Sequence, residues 1–284
     1  GKGNIQNKQK ELRTMLLSGM GYYDYDMENA HYTILGQYYK MISGRTLSAV
    51  NHYTKNTKAV REAISLNTGI RLDIVKRCLL GIVYGAKIDS KSKVLDGVHT
   101  NTDIYNAIHK QTKQHKTTEL LFRKLQNNKH VQNIWKDVDD AYRWIRKSWK
   151  VRYKGSDKER MINMRNKSTY TKELNSFGKY QYKSKGRLLS HFLQGIEAKI
   201  LLEIMVEEGN GFVLALHDGW VSRINWDVKE LEQKISQWTR KHLLEYNGIK
   251  DAFVIKISKD ELTEVVEGDW IETLSKKGIL EEIG

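Results

Sequence analysis

The chain contains no proline and a single cysteine, and no run of eighteen apolar residues occurs anywhere in its 284 positions. One cysteine, Cys78, excludes an internal disulfide and fits a reducing compartment. Without a long apolar run there is no sequence signal for a membrane span, and no signal-peptide pattern is present, so a cytoplasmic protein is expected. The missing proline departs from average usage, which at about 5% would give roughly fourteen. It is compatible with many helices. Several chemistries lack their signatures: there is no glycine-rich phosphate loop ending in Lys-Ser/Thr, no His-Glu-x-x-His and no cysteine pair for zinc.

What is abundant is positive charge. The formal net charge is +14, with 39% apolar and 29% charged residues, a globular balance that points to a polyanionic partner. The excess is concentrated. Residues 141–187 carry fifteen Lys or Arg against Asp157, Glu159 and Glu173, whereas the last 25 residues carry eight acids against Lys276 and Lys277. A nucleic-acid channel with an acidic outer edge would produce this polarity.

Periodicity predicts a short amphipathic helix over 5–18, a strand over Tyr22–Asp26, and helices over Ala30–Met41, Thr57–Leu66 and Leu72–Ile88. Residues 101–149 read as mostly helical, and 150–186 as a long loop or mobile hairpin. Further on come a helix over Arg187–Glu207, a strand over Phe212–Leu216 and a returning strand over Trp220–Ile224. A helix over Asp227–Leu244 and a strand over Ala252–Ser258 complete the pattern. No internal repeat is visible. Strands near both ends around a helical bulk suggest one sheet interrupted by a helical insertion.

Two acidic strand ends carry the chemistry. Leu214-Ala-Leu-His217-Asp218-Gly219 runs an apolar strand into a turn, and a carboxylate there is costly unless a cation meets it. Asp24-Tyr25-Asp26 ends another strand, with alternation placing both aspartates on one face. Each aspartate alone also fits an ordinary turn residue. Together, carboxylates from two strands are the minimum cage for two divalent ions roughly 3.5 to 4 Å apart that stabilise both oxygens of a nucleotidyl transfer.

Three further stretches accompany them. On the Leu72–Ile88 helix, Lys76, Leu80 and Tyr84 share one stripe, while Val75, Cys78, Leu79, Ile82 and Ala86 can face the core. Lys76 can then reach triphosphate oxygens and Tyr84 a base or sugar. Gly81 and Gly85 free the backbone for a template strand at about 1 kcal/mol each relative to Ala. A plain amphipathic helix with a surface lysine is the alternative. Arg187, His191 and Gln194 form a polar stripe on a helix whose core side is Leu189, Phe192, Leu193, Ile196 and Ile200. This suits phosphate and minor-groove contact or a merely solvated face, and Glu197 lies near enough to orient a member. Finally, Arg143, Arg146, Lys150, Arg152 and Lys154 alternate with Trp144, Trp149 and Tyr153, a pattern for backbone tracking and base stacking or, more simply, a solvated basic helix.

In this order the three elements resemble motifs A, B and C of the superfamily that joins family A DNA polymerases to single-subunit phage-type RNA polymerases. Tyr25-Asp26-Met-Glu-Asn-Ala-His31 resembles motif A, Lys76-Arg-Cys-Leu-Leu-Gly81-Ile-Val-Tyr84-Gly85 resembles motif B with its Lys-x7-Tyr-Gly spacing, and His217-Asp218 resembles motif C. The Arg187–Gly195 segment is similar to the helix that touches the primer-template minor groove. The resemblance covers residues 20–225 and is most specific in motif B.

The resemblance implies a helix-rich α+β fold, a right-hand polymerase palm with a small antiparallel sheet and inserted helical fingers. Its parts would be 1–40 (palm, motif A), 41–186 (fingers with the basic segment), 187–259 (palm, motif C) and 260–284 (acidic C-terminal segment). It implies catalysis by Asp26, Asp218 and Lys76, with two Mg2+ ions on Asp26 and Asp218. Nucleotide contacts would come from Lys76, Tyr84, His31 and Gly85, and nucleic-acid contacts from Arg187, His191, Gln194, Arg143, Arg146 and Lys150.

Departures from the family pattern refine the product. His31 stands where the DNA polymerases carry a ribose-screening glutamate, and Gly219 stands where they usually carry glutamate after motif C. Gly81, in contrast, resembles their motif B. The balance favours DNA-templated RNA synthesis from NTPs. A family A-like DNA polymerase and a non-catalytic nucleic-acid-binding subunit are the alternatives. Only about twenty residues precede motif A, and the chain opens on Gly1, so the thumb is expected from a second polypeptide or a missing N-terminal part. Compact two-subunit phage RNA polymerases are the nearest precedent, which would put the protein in the cytoplasm of a bacterial host.

Overall fold

The computed structural model describes residues 17, 19–86, 88, 94–95, 98–99, 103–149, 151–153, 159–165, 167–170, 172–174, 180–182, 185–216 and 219–262. The helix expected over 5–18 lies almost wholly outside these residues. The chain divides into two compact units, one drawn from Gly1–Glu28, Ile200–Ile235 and Ile255–Gly284, the other from Asn29–Lys199 and Ser236–Val254. The fold is helix-rich α+β, and its largest described sheet is small and antiparallel.

The smaller unit holds that sheet. Strand β1 (Tyr23–Met27) pairs antiparallel with β10 (Gly219–Ser222) on one side and β11 (Ile257–Glu261) on the other, and β9 (Phe212–Ala215) completes the order β11-β1-β10-β9. The pleat of β1 buries Tyr25 and Met27 completely and leaves Asp24 half-buried and Asp26 exposed, so the two acids share a face as alternation predicts. Beneath the sheet, Tyr25 stacks on Trp220 with ring centroids 5.0 Å apart, and its hydroxyl donates to the Ile224 carbonyl and accepts from Trp226 N–H, both at 2.9 Å. The strand expected over Ala252–Ser258 forms later, at Ile257–Glu261. Phe253 and Val254 instead spend backbone groups on side chains, Phe253 on Ser236 and Thr239 and Val254 on the Gln37 amide.

The larger unit is mostly helical: α1 (Ala30–Ser43), α2 (Ser48–Lys55), α3 (Thr57–Thr68), α4 (Leu72–Val83), α5 (Asp103–Thr112), α6 (His115–Asn127) and α7 (Lys129–Ser148). Its chain leaves through the first part of α8 (Lys185–Glu208) and returns in the last part of α9 (Val228–Asn247). The periodic readings match α1, α3, α8 and α9 to within a few residues. Helix α2 has no counterpart among them. It is short, and its N-terminus is capped from afar: Asp137 accepts from Ala49 N–H at 2.8 Å and Val50 N–H at 3.1 Å.

Residues 150–186, expected as a long loop or a mobile hairpin, contain antiparallel strands, β4 (Val151–Tyr153), β5 (Glu159–Ile162) and β6 (Ser168–Tyr170) in one sheet and β7 (Lys172–Leu174) with β8 (Tyr180–Tyr182) in another. Strands of three or four residues are too short for a hydrophobic alternation to be read. Their anchor is Trp149, 2% exposed, which packs against Tyr38, Phe192 and Tyr246 and donates from its indole to the Ile162 carbonyl. A tryptophan read as a base-stacking platform is therefore a core residue, its ring surface spent on neighbours.

Candidate functional site

The Lys76–Gly85 segment does not run through one helix. Helix α4 ends at Val83, and Tyr84, Gly85 and Ala86 close it with a Schellman turn: Gly85 N–H donates to Ile82 C=O at 2.7 Å and Ala86 N–H to Gly81 C=O at 2.9 Å. Gly85 takes the left-handed conformation with φ of 79°. The helical reading to Ile88 overran because apolar spacing continues past the turn. On α4, Val75, Cys78, Leu79 and Ile82 are buried, while Lys76 and Leu80 point to solvent, as the stripe analysis requires.

The space in front of Gly81 and Gly85 is filled by the chain itself. A Cβ on Gly81 would lie 3.3 Å from the Ile104 side chain. One on Gly85 would lie 2.9 Å from Lys185 Cγ and 3.1 Å from Gly186 N, and one on Gly186 would meet Tyr84 O at 2.5 Å. The end of α4 and the start of α8 thus approach backbone to backbone.

Beside this approach the structure joins His31 and Tyr84, which come from two separate segments, to Glu197. His31 Nε2 lies 2.7 Å from Glu197 Oε2, and the Tyr84 hydroxyl lies 3.0 Å from His31 Nδ1. The His31 and Glu197 side chains are only 12% and 7% exposed. Helix α1 presents His31, α8 presents Glu197, and Tyr32, next to His31, donates to the Leu79 carbonyl at 2.6 Å, tying α1 to α4. Asn29 begins α1 in a left-handed conformation that asparagine tolerates, its amide held by Thr57 and Arg61. Glu197 turns out to serve a residue of another helix rather than a member of its own polar stripe.

Along α8, Leu189, Phe192, Leu193 and Ile196 are buried, with Arg187 and Gln194 exposed and His191 half-buried, so the stripe stands as read. Asp139, which the linear reading passed over, draws in two bases, Lys185 at 3.0 Å and Arg143 at 2.7 Å. Arg143 is therefore engaged by its own helix at the i,i+4 position. Arg146 is exposed, and Lys150 lies outside the described residues.

In the smaller unit, Asp26 pairs across the sheet with Gly219, the residue that follows Asp218 in sequence. Asp218 and His217 lie outside the described residues. Gly219 is buried, and a Cβ there would collide with the Tyr25 carbonyl, so this close strand contact admits glycine alone. A second residue missed from sequence is Glu208, 6% exposed, whose Oε1 accepts both the Trp220 and Trp226 indole N–H groups at 3.0 and 2.7 Å. It holds β10 from below. No periodic signal marks it, since its partners come from separate segments.

The oxygen donors of Asp24 and Asp26 suit a hard cation in kind. Among the described residues, no three His, Cys, Asp or Glu come together as a metal cluster. No helix among them is long and apolar enough to cross a membrane.

No family model and no curated protein matches the chain. Among solved structures, it is similar to one described as the POL domain of Pol1 from M. smegmatis in complex with DNA primer-template and dNTP. The two are 14% identical with a TM-score of 0.41, over 91% of this chain and 44% of that one. The chain thus spans less than half the length of that polymerase domain.

Proposed function

We propose that this chain is the palm-and-fingers core of a template-directed nucleotidyltransferase, making RNA from NTPs on a DNA template. The observation that supports it most is the pairing of Asp26 with Gly219, which brings the strand of the first acidic motif alongside the strand that leaves the second. In this reading, Asp26 and Asp218 would hold the two Mg2+ ions. When bound, such ions neutralise the attacking and leaving oxygens of an in-line displacement. Lys76 would meet the triphosphate, while Tyr84 and His31 would face the sugar; Gly85, packed against Lys185 and Gly186, is left out of the nucleotide contacts. Arg187, His191 and Gln194 would follow the duplex, and Arg143, Arg146 and Lys150 the template backbone.

The corresponding parts would be palm (1–40 and 187–259), fingers (41–186) and an acidic segment (260–284), with the thumb supplied by a second polypeptide or an additional N-terminal part. His31 in place of a ribose-screening glutamate supports an RNA product. A second reading, incorporation of deoxyribonucleotides, draws on Gly219: its missing side chain is demanded by the Tyr25 carbonyl and so is neutral on the sugar. Primer extension with ribo- and deoxyribonucleotides side by side, with Asp218→Asn as control, decides between them. Strong preference for deoxyribonucleotides overturns the RNA reading. Salt-sensitive nucleic-acid binding without incorporation under any divalent metal overturns both in favour of a binding subunit.

A further inference from the structure

We propose that Glu197 is a positioning residue: it fixes the tautomer of His31 and thereby the direction of the His31–Tyr84 hydrogen bond. A carboxylate oxygen can only accept, so at 2.7 Å from Glu197 Oε2 the His31 Nε2 must carry the proton. A neutral imidazole protonated at Nε2 has its lone pair on Nδ1. The Tyr84 hydroxyl, 3.0 Å from Nδ1, is then the donor. Its proton is committed to His31, so the phenol oxygen can enter any further hydrogen bond only as an acceptor.

Burial makes the arrangement directional. With His31 and Glu197 side chains 12% and 7% exposed, water competes poorly for either group. Glu197 also sits on a helix face whose neighbours Leu193, Ile196 and Ile200 are buried, an expensive location for a carboxylate without a dedicated partner. In metal sites, a carboxylate behind a histidine fixes ring orientation and tautomer in the same way. Here the imidazole transmits that constraint to a phenol.

The consequence for selectivity rests on the polymerase reading. A Tyr84 oxygen offered as acceptor suits a ribose 2′ hydroxyl, which can donate, and gains nothing from a deoxyribose. Glu197 would therefore act on sugar discrimination through two intermediaries without touching the nucleotide.

The test uses the whole chain labelled with 15N-histidine. In long-range 1H–15N spectra, His31, assigned by its loss in His31→Gln, should show a protonated Nε2 and an unprotonated Nδ1. Glu197→Gln, whose amide oxygen still accepts, should preserve that pattern. Glu197→Ala should lose it and, in primer extension, raise the KM for ribonucleotides about tenfold, the loss falling on KM more than on kcat. The KM for deoxyribonucleotides should stay put. A wild-type His31 protonated at Nδ1, or an unchanged tautomer in Glu197→Ala, overturns the inference even if the enzyme polymerises. Should Glu197→Ala not fold, the wild-type and Glu197→Gln spectra still decide. Absence of incorporation by wild type would overturn the polymerase reading alone, because the spectra report the tautomer without turnover.

Discussion

Gly219 lies opposite Asp26 across an antiparallel strand pair, so close that a methyl group on it would enter the Tyr25 carbonyl. The clash is with backbone of a buried strand, which has no rotamer to yield. Gly219→Ala is expected to destabilise the fold by roughly 2 to 3 kcal/mol or more, measured by urea unfolding. A change within about 0.5 kcal/mol, the scatter of surface substitutions, would mean the two strands are spaced further apart.

Asp26 itself is exposed, and its removal tests chemistry with little structural disturbance. Asp26→Asn should abolish nucleotide incorporation while moving stability by no more than about 0.5 kcal/mol. Retained incorporation would dismiss it as a metal ligand.

Lys76 points to solvent from a helix whose opposite face is buried. Lys76→Met should lower kcat/KM for nucleoside triphosphates by roughly ten- to a hundredfold, on the scale of a lost charged hydrogen bond, without changing the unfolding midpoint. Equal activity in the variant would remove Lys76 from the triphosphate site.

Trp149 separates two readings of the basic segment. As a core anchor, Trp149→Ala should cost about 3 to 5 kcal/mol, detectable by thermal or urea unfolding. As a base-stacking residue it would cost binding and little stability. The burial at 2% favours the first outcome.

Alkaline pH should unfold the protein. Burial pushes the Tyr25 and Tyr38 hydroxyls up to about 12 and raises Tyr32 well above the ordinary value of 10.0. Between those limits the folded state keeps protons that the unfolded chain has released. Stability is therefore full below about pH 10 and is lost as pH climbs towards 12. Urea midpoints at about pH 8 and about pH 11, read beside tyrosinate absorbance, check this. Ionisation of all tyrosines near pH 10 in a still-folded protein would contradict it.

Much of this was legible in the chain. Tyr23–Met27 shows its strand because Tyr25 and Met27 alternate with two acids, and α4 shows its buried face through Val75, Cys78, Leu79 and Ile82. The stop at Gly85 was hidden because Ala86 and Ile88 prolong the apolar rhythm beyond a turn that only backbone geometry defines. The strands of 150–186 have three or four residues each, too few for an alternation to show, and Trp149 looked like surface because its neighbours in sequence are basic. The His31–Glu197 pair was invisible for another reason: 166 residues separate its members, and nothing local to either announces the other.

The sheet also dictates an order of assembly. Tyr25 and its hydrogen-bond acceptor Ile224 stand 199 residues apart, so during synthesis β1 leaves the ribosome long before its neighbours exist. At translation rates of about 5 to 20 residues per second, it waits roughly 10 to 40 seconds as a bare edge. Through that interval the nascent strand, apolar at Tyr25 and Met27 on one face and acidic at Asp24 and Asp26 on the other, carries like charges that oppose edge-to-edge pairing with a second copy.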